Sequence, residues 1–353
     1  MMKKILITGA SGFVGSRLVE RWKEEYTILA PRHGEMDITD ADAVEEFFTR
    51  NRPDVVVHLA AISNTGYCEE HPEESYRMNV EGACNVARAS AGCGAKLVFF
   101  SSDQVYNGNL ESGLLTEDIA VHPENVYGRH KLEAEQRVLD ICPGAVALRA
   151  TWMYDVEREG MPTHANFVVN IDRAIKEGRQ LRFPVREYRG ITWVGEVVEM
   201  LPYTFDLTGG VYNFGAENLL NTYETAYRYC EAIAEGLGDA VIVPDHDRYA
   251  EHVRNISISM DKARRASGGR IGFNRPLPIH NGPQGPSGPT PNPSLYGGEY
   301  NVLGDEGNGK VDENDDDDHP PPPSLRSSSH LSQGDSRLAQ RAGSGEGVYS
   351  TGR

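Results

Sequence analysis

A doubly wound parallel α/β sheet of the Rossmann type is the fold this 353-residue sequence predicts, and three observations predict it. Short apolar runs alternate with helical patterns through the first 150 residues, which is how β–α–β units read. A glycine-rich turn, Thr8-Gly9-Ala10-Ser11-Gly12-Phe13-Val14-Gly15, follows the first apolar run and opens a helix. Tyr127 and Lys131 stand four residues apart at the head of a later helix, downstream of a run ending in Ser101-Ser102-Asp103.

Lys3 to Ile7 reads as a buried strand, and Phe13, Val14, Leu18, Val19 and Trp22 recur at helical spacing after the turn. Strand, glycine turn and helix together form the context a phosphate-binding loop requires. The glycines let the backbone approach a pyrophosphate, and the helix N-terminus offers free N–H groups. The spacing is G-x-x-G-x-x-G, and Gly9, Ser11, Gly12, Phe13, Val14 and Gly15 are the candidate cofactor contacts. Tyr26 to Ala30 is the second strand. It runs into Pro31-Arg32-His33 with no acid to hold a ribose hydroxyl, and the Arg32 guanidinium suits a 2′-phosphate. NADP is therefore expected over NAD.

The segment Asp37-Ile38-Thr39-Asp40 caps a helix carrying Val44, Phe47 and Phe48, and Asp37 is also a candidate for the adenine. Pro53 to Ala61 is a third, fully apolar strand whose small end, Ala60-Ala61, leaves room for a cofactor across the strand tips. His58 within it has no triad or metal spacing and reads as structural. A helix is expected from about Pro72 through Asn79 to Ala89, then a strand from Lys96 to Phe100. Ser102 follows, at a carboxyl end, where doubly wound sheets bind ligands. On a helix, Tyr127 and Lys131 share one face with Cβ atoms roughly 5–6 Å apart. An ammonium beside a phenol lowers the phenol's pKa, towards the range useful for proton transfer. A hydroxyl, a phenol and an ammonium behind a dinucleotide loop are the parts needed to reduce a carbonyl.

Composition narrows the partners. A formal charge of -17 argues against nucleic acid and anionic membranes. Five scattered cysteines without a C-x-x-C pair read as reduced thiols, with neither a disulfide framework nor a metal site. No run approaches the roughly 20 apolar residues of a membrane span, and no signal core is visible. A cytoplasmic protein is expected.

The motifs resemble the extended short-chain dehydrogenase/reductase superfamily, and most closely its dTDP-4-dehydrorhamnose reductase group. The resemblance rests on Thr8-Gly9-x-x-Gly12-x-x-Gly15, Arg52-Pro53-Asp54-Val55-Val56, Met78-Asn79-Val80, Ser101-Ser102-Asp103-Gln104-Val105-Tyr106, Pro123 to Glu135 and Leu148 to Tyr154. It implies Ser102, Tyr127 and Lys131 as the catalytic triad, Asn79 as the support of the lysine, and NAD(P)H-dependent reduction of a 4-keto nucleotide-deoxysugar. The related dehydratases carry an Asp-Glu pair after the triad hydroxyl. Here the pair is Asp103-Gln104, and an amide cannot act as the second acid–base group. The reductases usually place an aromatic residue at that second position, so Gln104 departs from both patterns. Two alternatives stay open: another sugar-nucleotide epimerase or dehydrogenase, and a non-catalytic dinucleotide-binding regulatory subunit.

Residues 1–150 are thus expected to form the dinucleotide-binding domain and 151–275 mainly the substrate-binding part. In the latter, Asn166 begins a helix and Arg182, Arg186 and Arg189 suit a diphosphate. Thr192 to Leu201 returns the chain to the nucleotide domain, Gly210 to Gly215 reads as a strand, and Thr222 to Ala234 as a Tyr-rich helix. The expected partners are a nucleotide sugar and a second copy of the chain. Around Ser267-Gly268-Gly269 the pattern breaks. Residues 276–353, with Gly-Pro steps, an Asp run from Asp315 to Asp318 and Pro320 to Pro323, read as a disordered low-complexity tail. Its sharp change of composition suggests out-of-frame translation.

Overall fold

The computed structural model describes residues 2–163 and 166–273. The expectations for residues 276–353 lie outside the described residues. A six-stranded, all-parallel sheet organises the chain. Its first half comprises β1 (Lys4–Thr8), α1 (Phe13–Trp22), β2 (Thr27–Leu29), α2 (Ala41–Asn51), β3 (Val55–His58), α3 (Thr65–Glu70), α4 (Pro72–Tyr76), α5 (Gly82–Cys93), β4 (Lys96–Ser102), α6 (Val126–Ile141) and β5 (Val146–Ala150). The second half adds β6 (Trp152–Tyr154), α7 (Phe167–Glu177), β7 (Leu181–Pro184), β8 (Glu187–Arg189), β9 (Ile191–Trp193), α8 (Val194–Met200), β10 (Gly210–Phe214), α9 (Thr222–Ile233), α10 (Gly238–Val241), β11 (Ile242–Asp245), β12 (Arg254–Ile256) and α11 (Asp261–Ala266).

The strand order is β10-β5-β4-β3-β1-β2. Winding therefore reverses between β1 and β3, where a crevice opens beyond the strand ends. The register puts Leu6 opposite Val56 and Thr8 opposite His58. Alternation along each strand feeds two layers. Ile5, Ile7, Val55, Val57, Val98 and Phe100 pack with Leu18 and Trp22 of α1 and Val197 of α8. Leu6, Val56, Leu97 and Phe99 pack with Phe48 of α2, Val86 of α5 and Val138 of α6. Both faces are covered, which is why the central positions of these strands are apolar on both sides of the sheet.

The second half makes three two-stranded parallel pairs, β6 with β9, β7 with β11 and β8 with β12. Its own core gathers Phe167, Ile171, Ala226, Tyr229 and Ile242. Asn166 caps α7 by accepting from the Val169 N–H, and Asn221 with Glu224 forms a capping box on α9. Gly210–Phe214 is a strand as expected, and it extends the main sheet beside β5.

Two local features differ from the sequence reading. The helix expected from Pro72 is interrupted by a π-helical turn, Arg77–Glu81, with α3 preceding it. Packing also continues beyond Ser267-Gly268-Gly269: Ile271 is buried, and the Phe273 ring meets Phe214 edge-on with centroids 4.9 Å apart. Gly268 and Gly269 have positive φ, so the glycines that look like a loss of pattern turn the chain back onto the core.

Candidate active site

The glycine loop sits at the switch point. Gly9 has φ +68°, and a Cβ there would lie 2.8 Å from the Ala60 nitrogen. A Cβ on Gly15 would overlap the Gly9 carbonyl oxygen. These two glycines let the loop, the end of β3 and α1 close on one another. Gly12 is different: it is exposed, it is the N-cap of α1, and no side chain caps the first turn. The loop therefore presents bare backbone at the positive end of a helix that no side chain caps, which fits a pyrophosphate. Ser11 is exposed there, while Phe13 and Val14 are half-buried.

Thr8 ties β1 to β3. Its Oγ1 accepts from the Leu59 and Ala60 N–H groups at 3.2 Å and lies 2.7 Å from His58 Nδ1. With two donors already spent on that oxygen, its proton points to Nδ1. His58 is buried, its pKa is pushed down to about 3, mainly by burial and secondarily by Lys131, and it stacks on Phe99. It is a neutral structural histidine, and it holds Ala60 and Ala61 at the mouth of the crevice.

Arg32 lies exposed just past β2, its backbone N–H held by Glu35 Oε2 at 2.7 Å. Asp37 uses Oδ1 to accept from the Thr39 N–H and hydroxyl, both at 2.9 Å. Burial raises its pKa, but these two bonds outweigh burial and leave the net value low. The helix cap itself is Asp40, which accepts from Asp42 and Ala43.

Ser102 ends β4, and its hydroxyl donates to Asp103 Oδ1 at 3.2 Å. Asn125 caps α6 by accepting from the Gly128 N–H at 2.6 Å, which fixes the turn that carries Tyr127. Tyr127 and Lys131 are both buried on the inner face of α6. Lys131 Nζ lies 4.7 Å from the centre of the Phe99 ring and 6.0 Å from that of Tyr127. Ser102 is close enough to the phenol to temper its pKa. The three predicted catalytic residues thus converge.

Their electrostatics correct one expectation. Burial raises the Tyr127 pKa, and the negative charge of Asp103 adds to it. The neighbouring Ser102 hydroxyl opposes this rise, but burial dominates. The ammonium is itself desolvated and faces an aromatic ring, and its own pKa falls to about 8 despite the attraction of Glu135. Burial therefore outweighs the ammonium, and the phenol keeps its proton.

The Asn79 side chain is bonded at both ends. Its Oδ1 accepts from the Ile62 N–H at 2.8 Å, and its Nδ2 donates to the Ile62 carbonyl at 2.9 Å and Ser75 Oγ at 3.2 Å. Ser75 in turn meets His130 Nδ1 at 2.9 Å. Asn79 therefore pins the loop after β3 and reaches α6 through Ser75, one residue short of Lys131. Its place in the π turn aims the amide inward, as such turns do at functional sites.

Of the three arginines proposed for a diphosphate, only Arg189 enters the site. It pairs with Asp103 at 3.3 Å and stacks over Trp152 at 4.7 Å. Arg182 faces Asp245 and Asp247, and Arg186 bonds the Ala250 carbonyl. Residues that sequence reasoning missed complete the wall. Arg254 reaches from β12 to Gln104 Oε1 at 2.9 Å and Asn107 Oδ1 at 2.8 Å, and pairs with Glu187. Below Tyr127, Arg149 forks onto both oxygens of Glu135, at 2.7 and 3.1 Å, and bonds Tyr106 at 2.9 Å. No local signal could have shown Arg254: Gln104 and Asn107 lie 150 and 147 positions away, and Glu187 lies 67 away. Asp103 is buried, and burial raises its pKa against the opposing pull of Arg189 and Arg254. Among the described residues no group of His, Cys, Asp or Glu could hold a metal, and no helix is long and apolar enough to cross a membrane.

A dinucleotide cradle at the switch point, facing a buried hydroxyl–phenol–ammonium group at the end of the fourth strand, is the layout of NAD(P)-dependent short-chain dehydrogenase/reductase enzymes. The chain belongs to the family described as the RmlD substrate binding domain, whose model matches residues 2–265. It is 27% identical over 283 residues to a dTDP-4-dehydrorhamnose reductase of Aggregatibacter actinomycetemcomitans, covering 76% of this chain and 94% of that one. It is 31% identical over 248 residues to the methionine adenosyltransferase 2 subunit beta of Xenopus laevis, covering 65% and 72%. The fold matches the crystal structure of the dTDP-4-dehydrorhamnose reductase of Bacillus anthracis in complex with NADP, with a TM-score of 0.65 and 24% identity over 76% of this chain and 98% of that one.

Proposed function

We propose that this protein reduces a 4-keto group on a nucleotide-linked deoxysugar, in the manner of dTDP-4-dehydrorhamnose reductase, with NADPH as the reductant. The observation that carries this reading is a protonated, buried Tyr127 beside Ser102 at the end of β4, opposite a dinucleotide cradle. NADPH, when bound, supplies the hydride. Gly9, Gly12 and Gly15 with the first turn of α1 would hold its pyrophosphate, and Arg32 its 2′-phosphate. Ser102 orients the carbonyl oxygen, and Tyr127 delivers the proton to it as the carbon becomes an alcohol. Lys131 would grip the nicotinamide ribose. Asn79 keeps the loop at Ile62 in place.

The phenol's raised pKa suits this direction of reaction, because a reduction needs a proton donor and not a base. Assembly as a homodimer in the cytoplasm completes the reading, and size-exclusion chromatography with light scattering checks the first part of it.

The test is NADPH and NADH oxidation by the purified protein with dTDP-4-dehydro-6-deoxy-L-mannose, beside Tyr127→Phe. Turnover with the native protein, reduced about 10²–10⁴-fold by the substitution, is the expected result. Dinucleotide binding without turnover would favour a regulatory subunit instead, the reading that the likeness to methionine adenosyltransferase 2 subunit beta supports.

A further inference from the structure

We infer that Gln104 is a specificity-setting positioning residue, its amide oxygen clamping the cap of the catalytic helix and Arg254 into one wall beside Ser102 and Asp103. The inference rests on the reductase reading for what that wall faces, a keto-hexose ring.

The oxygen of the buried amide is fully used. Oε1 accepts from Asn125 Nδ2 at 3.0 Å and from Arg254 Nη2 at 2.9 Å. Asp103 is its buried chain neighbour, and the amide tempers the rise in that acid's pKa. Asn125 is the residue whose Oδ1 caps α6 one turn around Tyr127. A Cβ on Gly128 would lie 2.5 Å from the Gln104 carbonyl oxygen, so the catalytic helix also rests on this residue's backbone. Arg254 brings in β12 and, through Glu187 and Thr222 at 2.9 Å, the start of α9.

Charge explains why the residue must be an amide. Asp103 with Arg189 and Glu187 with Arg254 are two ion pairs with little access to water, flanking position 104. A neutral group between them leaves each pair balanced. Glutamate would keep the acceptor for Asn125 and Arg254 but set a second acid against Asp103, so that the two would share a proton. An aromatic residue could not accept both donors and would strand a buried guanidinium N–H. Gln104 accepts from Asn125 and Arg254 at once and adds no charge beside Asp103, which gives its departure from both related sequence patterns a physical reason.

The test uses the full chain with three variants, Gln104→Met, Gln104→Glu and Arg254→Met. With the keto sugar, Gln104→Met should raise KM about tenfold and leave NADPH affinity within twofold. Arg254→Met on top should add less than a further twofold, because the clamp is already open. Gln104→Glu should approach native kcat/KM near pH 5 and lose it as pH rises and the shared proton leaves. The groups facing that pair are Arg189, Arg254, Glu187, Ser102 and Tyr127, and none gives the native protein this fall. An unchanged KM in Gln104→Met, or equal losses in KM and NADPH affinity, overturns the inference. If the native protein turns over no sugar, the reductase reading fails by itself. The clamp is then decided by melting temperatures of the NADPH-loaded single and double variants, with additive shifts overturning it and non-additive shifts sustaining it.

Discussion

Lys131→Met separates what the buried lysine costs the fold from what it does. The ammonium is almost fully buried, and its pKa falls from 10.5 to about 8. At 1.36 kcal/mol per pKa unit, keeping it charged at neutral pH costs the native state about 3 kcal/mol. Its approach to the Phe99 ring returns roughly 1–2 kcal/mol. Methionine fills similar space and makes favourable contacts with aromatic rings. The variant should therefore be more stable than the native protein at pH 7, by about 1–2 kcal/mol, or some 2–8 °C in a chain of this size. The pH dependence has a definite sign. Between the folded value near 8 and the ordinary 10.5, the unfolded chain binds more protons than the folded one, so native stability rises with pH across that window. The methionine variant has no such rise, and its advantage should shrink from pH 8 to pH 10.5. Thermal melts of nucleotide-free protein at several pH values read this directly, and turnover should fall about 10²–10⁴-fold in parallel. A variant destabilised at pH 7, or an advantage that does not change with pH, would refute the reasoning.

Other perturbations follow from the same geometry. Gly9→Ala must adopt a positive φ and press a methyl against the Ala60 backbone, so it should cost at least about 1–3 kcal/mol. NADPH binding, measured by fluorescence titration, should weaken with it. Arg149→Met leaves Glu135 buried without its partner and should destabilise by about 3–5 kcal/mol in urea unfolding; a change under 1 kcal/mol would refute the pairing as a support of the fold. Arg32→Ala touches an exposed side chain at the end of β2. It should lower kcat/KM for NADPH about tenfold and leave NADH unchanged, while equal losses for both would remove the arginine from the 2′-phosphate.

The chain's order of strands and helices, its glycine loop and the pairing of Tyr127 with Lys131 are local properties, and they were legible because local spacing sets them. A buried parallel strand is apolar throughout, a phosphate loop needs glycines at fixed steps, and two side chains four apart on a helix share a face. Wherever a residue's role depends on a distant partner, sequence alone went astray or fell silent. That the Asn79 side chain holds Ile62, 17 positions back, is not visible in the sequence. Gln104 looked anomalous until Arg254, far along the chain, was seen at its oxygen. Of three equivalent-looking arginines, Arg189 alone met Asp103 in the site. Tyr127 was expected to have a lowered pKa, because the spacing shows the ammonium and hides the burial that outweighs it. Periodicity is written in neighbouring residues. Desolvation and long-range pairing exist only once the chain has closed on itself, and for this protein they decide which groups carry charge and which way each one faces.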